Sequence, residues 1–270
     1  MDLNNKVIVI TGAGSGIGRC LAQQLHSLGA KLALSDINEE SLIETTALLT
    51  NGTLVKSNTL DVTKKDEFFQ YAEEIQQHFG QVDVIINNAG VAVAASVVDC
   101  DIEMYEWLLN INLWGVLYGT KAFLPEMLKQ KSGQIVNISS IFGIVTLPTL
   151  SAYHMSKFAV RGLNETLWQE LKGTGVDCIS VHPGGIKTNI ANASRSAGED
   201  GTDMMKNFNA LLGTTAESCA AQIINGMQKN KRRVIIGSDA KFFTLLSRIL
   251  PNSYHFISEK ILKFKSRQKH

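Results

Sequence analysis

Tyr153 and Lys157 stand four residues apart in SAYHMSK, Ser151 to Lys157, a spacing that puts both side chains on one face of a helix. Such a pair could do proton chemistry at a hydroxyl. A hydride cannot leave an alcohol carbon unless the hydroxyl proton also leaves, so a base must stand within hydrogen-bond reach of that oxygen. A phenol has an ordinary pKa of about 10, and each unit of depression takes roughly 1.4 kcal/mol of preferential stabilisation of the phenolate. A cationic lysine one turn away supplies part of that. Taken alone, the same pair reads as a packed ring with a satisfied hydroxyl and a solvated charge. His154 points about 100° away from Tyr153 around the helix and stays outside the set.

A second constellation tips the balance. The stretch TGAGSGIG, Thr11 to Gly18, directly follows the apolar run VIVI. Glycines let a backbone approach a dinucleotide's pyrophosphate, and a helix starting there offers free N–H groups and the positive end of its dipole. The strict GxGxxG pattern fails because Ile17 occupies its last place; Gly12, Gly16 and Gly18 fit, with Ser15 and Ile17 between them. A flexible turn is the plainer alternative, but a place between a strand and a periodic helix favours phosphate. Downstream, Asp36 ends KLALSD, where a carboxylate can hold the hydroxyls of an adenosine ribose. Ile37 and Asn38 follow it, and the loop holds no basic residue before Arg19. A 2′-phosphate would meet that carboxylate unpaired, so NAD(H) is favoured over NADP(H). Capping a helix that starts near Glu39 is the alternative role for Asp36.

The elements that must position these residues alternate. Short β-branched runs at 6–11, 31–36, 53–58, 82–86, 133–139, 176–182 and 233–237 read as strands. Stretches of helical period lie between them near 16–29, 39–50, 64–79, 101–130, 152–173 and 216–229. This pattern predicts an α/β chain with a doubly wound, seven-stranded parallel sheet covered by helices on both faces. No Gly/Ser/Pro-rich linker divides it, so a single domain is expected over 1–237, with 189–215 inserted as a substrate loop and 238–270 as a basic helical extension. Ligands of such sheets sit outside the carboxyl ends of the strands. That places Asp61 and Val62, then Asn88, Ala89 and Gly90, then Pro183 to Thr188 at the cofactor. Gly184, Gly185 and Ile186 should pass beside the nicotinamide, with Thr188 reaching its carboxamide.

Composition sets limits. The formal net charge of +1 argues against a general nucleic-acid binder, yet residues 241–270 carry seven Lys or Arg against Glu259 alone. Apolar residues interleave with base in that tail. It fits a helix packed on the pocket or on a neighbouring subunit, with a weak peripheral membrane contact as the alternative. Cys20, Cys100, Cys178 and Cys219 form no CxxC, which suits a reducing, cytoplasmic setting. MDLNNK is no basic leader, and no window approaches a spanning helix. The six histidines show no ligand pairing, HExxH and the Walker pattern are missing, and no metal is expected.

In order along the chain, TGAGSGIG, LDV (Leu60 to Val62), NNAG (Asn87 to Gly90), NLWG with Asn112, ISS with Ser139 and Ser140, SAYHMSK and PGGIKT resemble the motifs of the short-chain dehydrogenase/reductase family. The resemblance implies a Rossmann fold and NAD(P)-dependent oxidation of an alcohol, or its reverse, by Asn112, Ser140, Tyr153 and Lys157. Ser140 is chosen over Ser139 because the family's serine usually precedes its tyrosine by thirteen positions. Ser140 would orient the substrate oxygen, Asn112 would hold a water linking Lys157 to solvent, and Tyr153 and Lys157 would also touch the cofactor. The family further suggests a homodimer or homotetramer through the helices at 101–130 and 152–173. Val93, Ala94, Ile141, Phe142, Val145, Leu147 and the 189–215 segment should wall the pocket, with Ser140, Phe142, Tyr153 and Gly185 at the substrate. These walls predict a hydrophobic alcohol or ketone, such as a steroid, retinoid, fatty acyl or xenobiotic carbonyl compound, although Arg195 and Lys206 could meet a carboxylate. The alternatives are an NADP-dependent carbonyl reductase and a non-catalytic nucleotide-sensing regulator.

Overall fold

Period-2 apolar runs and period-3.6 stripes alternate through the computed structural model, which describes residues 1–49, 54–188, 190, 194–208 and 213–256. Strands β1 (Val7–Thr11), β2 (Lys31–Asp36) and β3 (Val55–Thr59) are joined by helices α1 (Gly16–Ser27) and α2 (Glu39–Ala47). Helix α3 (Lys65–Phe79), strand β4 (Val84–Asn87), the short β5 (Val93–Ala94) and helices α4 (Ile102–Leu109) and α5 (Gly115–Gln130) follow. Then come β6 (Gly133–Ile138), α6 (Ser151–Glu170), β7 (Val176–Pro183) and the short β8 (Ile186–Lys187) and β9 (Arg195–Ser196). Helix α7 (Gly198–Phe208), β10 (Thr214–Thr215), α8 (Ala216–Gln228), β11 (Arg233–Ile236) and α9 (Ser238–Ile249) complete the order.

Seven strands form one parallel sheet in the order β11-β7-β6-β4-β1-β2-β3. The order reverses at β1, whose Ile8 and Ile10 face Leu32 and Leu34 on one side and Val84 and Ile86 on the other. Alternation along β1 explains why both faces need helices. Ile8 and Ile10 join Leu21 and Leu25 of α1 and Cys219, Ile223 and Met227 of α8 in one core. Val7 and Val9 join Phe68 of α3, Phe123 of α5 and Leu167 of α6 in the other. Each such side chain contributes about 1.5–3 kcal/mol on full burial. The carboxyl ends of β1, β4, β6 and β7 therefore open at one edge, beside the switch point.

Three expectations shift. The helix predicted over 101–130 is α4 and α5 joined by a π-turn, Asn110–Trp114, in which the Gly115 N–H reaches the Asn110 carbonyl. The extra residue in that turn breaks the 3.6 repeat and carries Asn112 into the interior. The strand expected at 53–58 runs one residue further, and Thr53 lies outside the described residues. The 189–215 segment is more than a loop: β9 pairs with β5, α7 follows, and β10 pairs with β8, while 189, 191–193 and 209–212 lie outside the described residues. Among the described residues no helix is long and apolar enough to cross a membrane. Of the predicted tail, α9 is described and 257–270 are not. Phe243 of α9 packs with Ile141 and Val145 in a small core, while Phe242, Leu245 and Ile249 are exposed.

Candidate active site

The glycine loop binds first to its own neighbours. Gly12 has φ +66°, and a Cβ there would sit 2.8 Å from Ala89 Cα; at Gly18 it would lie closer still to the Gly12 carbonyl. Side chains are thus kept out of a cradle that backbone N–H groups can line. The Thr11 hydroxyl accepts from the N–H groups of Asn88 and Ala89, each at 3.1 Å, and the Asn88 amide donates to the carbonyls of Thr11 and Gly12 at 2.9 and 3.0 Å. The loops after β1 and β4 are one unit.

Asp36 closes the far end. Its carboxylate accepts from the Gly14 N–H at 2.8 Å and the Asn38 N–H at 3.0 Å. The cap of α2 is instead Asn38, which accepts from the Ser41 N–H, so the capping alternative for Asp36 does not hold. Arg19 is engaged through two of its nitrogens: Nε donates to Thr45, and Nη2 to the carbonyls of Gly14 and Ser41 and to Glu44 at 2.7 Å.

A cleft of about 370 Å³ runs from Asp36 to Phe243. The expected cofactor and substrate residues line it except Gly18, which supports the loop from behind, and the exposed Lys187; Asn112 is likewise absent from the lining. Val93 and Ala94 do not wall it. They are buried in the two-strand ladder with Arg195 and Ser196, and Val91 takes their place at the cleft. Arg195 stacks over Trp107 at 3.9 Å and does not line the cleft; the side chain of Lys206 lies outside the described residues. Ile190 comes from the segment expected to wall the pocket and Phe243 from the tail read as packing on the pocket or a neighbour, whereas nothing in the sequence singles out Asp239 of α9. Asp239 accepts from the Gly185 N–H at 2.9 Å, so the tail braces the loop after β7. No local pattern announces that contact.

At the centre, the half-buried Tyr153 ring meets Phe142 edge-on at 6.3 Å, and Lys157 Nζ lies 5.6 Å from the phenol ring's centroid. Burial pushes the Tyr153 phenol up to about 12, opposed by a hydrogen bond from Ser140. Burial lowers the Lys157 amine to about 8, and the amine donates to the Ile138 carbonyl at 3.0 Å. Ser139 donates to the Lys157 carbonyl, tying it to α6, whereas the Ser140 oxygen accepts from the Phe142 N–H and faces the phenol. The Asn112 amide clasps the Val91 backbone, accepting at 2.9 Å and donating at 2.8 Å, so its side chain fixes the loop after β4. His154 accepts from the Leu147 N–H through Nε2 and meets the Phe142 carbonyl through Nδ1. It orders the apolar wall, and burial lowers its pKa. Among the described residues no group of His, Cys, Asp and Glu could hold a metal.

A parallel sheet with its switch-point cleft, a glycine cradle and a Ser, Tyr and Lys cluster define a nucleotide-dependent oxidoreductase. The chain belongs to the short chain dehydrogenase family, which matches residues 6–199, and is thereby an oxidoreductase of a family that uses NAD(P). It is 43% identical over 269 residues, 97% of this chain and 98% of the other, to SadH of Mycobacterium tuberculosis, provisionally named an oxidoreductase. It is 36% identical over 193 residues, 71% of this chain and 82% of the other, to an uncharacterised oxidoreductase of Staphylococcus saprophyticus. Its fold is similar to a short chain dehydrogenase/reductase from Burkholderia phymatum in complex with NAD, with TM-score 0.87, 27% identity and coverage of 93% and 95% of the two chains. Levodione reductase is similar at TM-score 0.77 and 25% identity over 86% and 95%.

Proposed function

We propose that the protein transfers a hydride between NAD(H) and a secondary alcohol or ketone on an apolar scaffold. One observation carries the reading: Tyr153, Ser140 and Lys157 converge on a cleft whose substrate end is Ile141, Phe142, Val145, Leu147 and Phe243, and whose other end is Asp36. Bound NAD would supply the hydride acceptor. The chain's own residues handle the proton. Ser140 donates a hydrogen bond to the substrate oxygen and orients it, Tyr153 takes the hydroxyl proton, and Lys157 tunes the phenol and holds the nicotinamide ribose. Gly12, Ser15, Gly16 and Ile17 cradle the pyrophosphate, and Asp36 accepts from the ribose hydroxyls. A substrate carboxylate is disfavoured, because Asp239 lines the cleft and Arg195 is committed to Trp107.

The preference for NAD rests first on Asp36 and then on Arg19, whose Nε and Nη2 donate to Thr45, Gly14, Ser41 and Glu44. Those bonds tie Arg19 to α2 and to the loop's own carbonyls, and the Asp36 carboxylate would repel a 2′-phosphate. Asp36→Ala is expected to weaken NAD binding about 10- to 10²-fold, as loss of one charged acceptor costs about 1.5–3 kcal/mol, while NADP binding changes little or improves. Titrating both cofactors against intrinsic fluorescence reads this, and tighter binding of NADP than NAD by the unaltered chain would turn the assignment to an NADP-dependent carbonyl reductase.

A panel of hydrophobic and polar alcohols with NAD, followed by nicotinamide absorbance, tests the reaction. Turnover confined to polyols or sugars would overturn the substrate class. No turnover at all, with NAD altering affinity for a partner, would favour a regulator instead. The same proposal includes a cytoplasmic homodimer or homotetramer built through α4, α5 and α6. For the tail, the inner face of α9 lies on the pocket, and the full chain is expected to stay in the supernatant with anionic liposomes. Pelleting that disappears when Phe242, Leu245 and Ile249 become Asp would assign the membrane contact.

A further inference from the structure

Behind Ser140 runs a line of buried polar side chains that the proposed reaction does not use. The Asn87 amide of β4 donates to Asn137 of β6 at 2.8 Å, Asn137 to Asn164 of α6 at 2.7 Å, and Asn164 to the Ser180 hydroxyl of β7 at 2.9 Å. Ser180 meets His182 Nε2 at 2.8 Å, and His182 Nδ1 meets the Ser140 carbonyl at 2.9 Å. All five side chains are buried, and His182 is 0% exposed. Polar groups this deep are costly unless each is paired.

The bonds run in one direction. Ser180 receives the Asn164 N–H and so has its own proton for Nε2, which leaves the His182 proton on Nδ1, aimed at Ser140. The backbone ladder between β6 and β7 ends just there, with the Ser139 N–H on the Val181 carbonyl. The next carbonyl, that of Ser140, accepts from the Gly143 N–H at 3.0 Å and from His182. The imidazole continues the ladder where the backbone has turned away.

We propose that His182, as the neutral Nδ1–H tautomer, is a positioning residue that holds the Ser140 backbone and thereby aims its hydroxyl at Tyr153 and the substrate oxygen. The inference rests on the reaction proposed above. Burial keeps the ring's pKa down at about 4; the hydrogen bond to the Ser140 carbonyl is the largest effect opposing it, Arg233 and Arg161 act with burial, and Glu165 acts against it. The ring therefore stays neutral at pH 7, and the Ser140 carbonyl, which can only accept, keeps the ring's single proton on Nδ1.

Two substitutions separate the arms of the ring. In His182→Asn the amide lies near the Nδ1 position and can still donate to Ser140; in His182→Gln it lies near Nε2 and reaches Ser180 instead. His182→Asn is expected to keep kcat within about threefold, and His182→Gln to lose about 10²-fold, the scale of a 1 Å misplacement. KM for NAD should be unchanged in both. Equal kcat losses in the two variants, tracking their melting temperatures, would leave His182 a structural residue and overturn the proposal. Nitrogen-15 spectra of the full chain supply an activity-free readout: neutral Nδ1–H is expected at His182 from pH 5.5 to 8, and Nε2–H or imidazolium overturns the proposal whatever the kinetics. An unaltered chain that turns over nothing in the alcohol panel overturns both readings, whereas normal turnover with the wrong tautomer sinks only this one.

Discussion

Tyr153→Phe is expected to lower kcat by about 10²–10⁴-fold, the range that a positioned proton-transfer group contributes, while NAD affinity stays within about twofold. The substitution keeps the ring and its edge-on contact with Phe142 and removes only the phenolic oxygen. With burial pushing that phenol up to about 12, it needs positive charge nearby to act as a base near neutral pH, and Lys157 is the cation the chain brings. Because alcohol oxidation requires the deprotonated phenol, its rate in the unaltered protein should rise with pH. The residual rate of the variant should be flat over the same range. Steady-state rates from pH 6 to 10, with NAD binding measured separately, check this, and full activity in the variant would remove Tyr153 from the chemistry.

Lys157→Met is expected to raise thermal stability at pH 7 while abolishing turnover. Burial lowers the amine from its ordinary 10.5 to about 8 in the cofactor-free chain. The unfolded chain therefore binds more protons between those values, and stability rises with pH across that window. Below pH 8 the full cost of charging the buried amine is present, about 3 kcal/mol at roughly 1.4 kcal/mol per unit. Losing the bond to the Ile138 carbonyl returns about 1 kcal/mol of it. The remaining gain corresponds to a melting temperature about 5 °C higher at pH 7 for a chain of this size, shrinking as pH approaches 10. NAD should bind more weakly as well, through the lost ribose contact. Melting curves at pH 7 and pH 9.5 test the sign directly: a variant less stable than the parent at pH 7 would mean that Lys157 is not charged at a cost. A gain in stability with loss of turnover would instead make function the reason a destabilising residue is kept.

Both predictions concern residues whose place was readable from spacing. Tyr153 and Lys157 share a helix, so four positions bring them together wherever the helix goes. The cofactor residues sit in short stretches just after strands, and in a parallel sheet every such stretch opens at one edge. The seven strands and their helices were legible for the same local reason, since alternation and helical period are written in consecutive residues. Boundaries moved by a residue or two, as at β3, because strand ends depend on the partner strand's register.

Other features depended on residues far apart in the chain. Asn112 reads as one more helical position until the π-turn carries it inward to clasp Val91. Val93 and Ala94 look like pocket wall, yet they are taken up by a ladder with Arg195 and Ser196, about a hundred residues on. Arg19 lies in the cofactor loop by sequence, and only the structure shows that its Nε and Nη2 are turned to α2. Asp239 and Phe243 belong to the cleft because α9 folds back over it. His182 shows no motif at all, and its tie to Ser140 crosses from β7 to the end of β6. By itself the sequence determined the elements, the glycine cradle and the Tyr153–Lys157 pair, since those rest on spacing within single elements, while Ser140 joined them through the family resemblance. The tertiary structure decided which side chains brace that cluster and which wall the substrate, because such contacts arise only when distant segments pack.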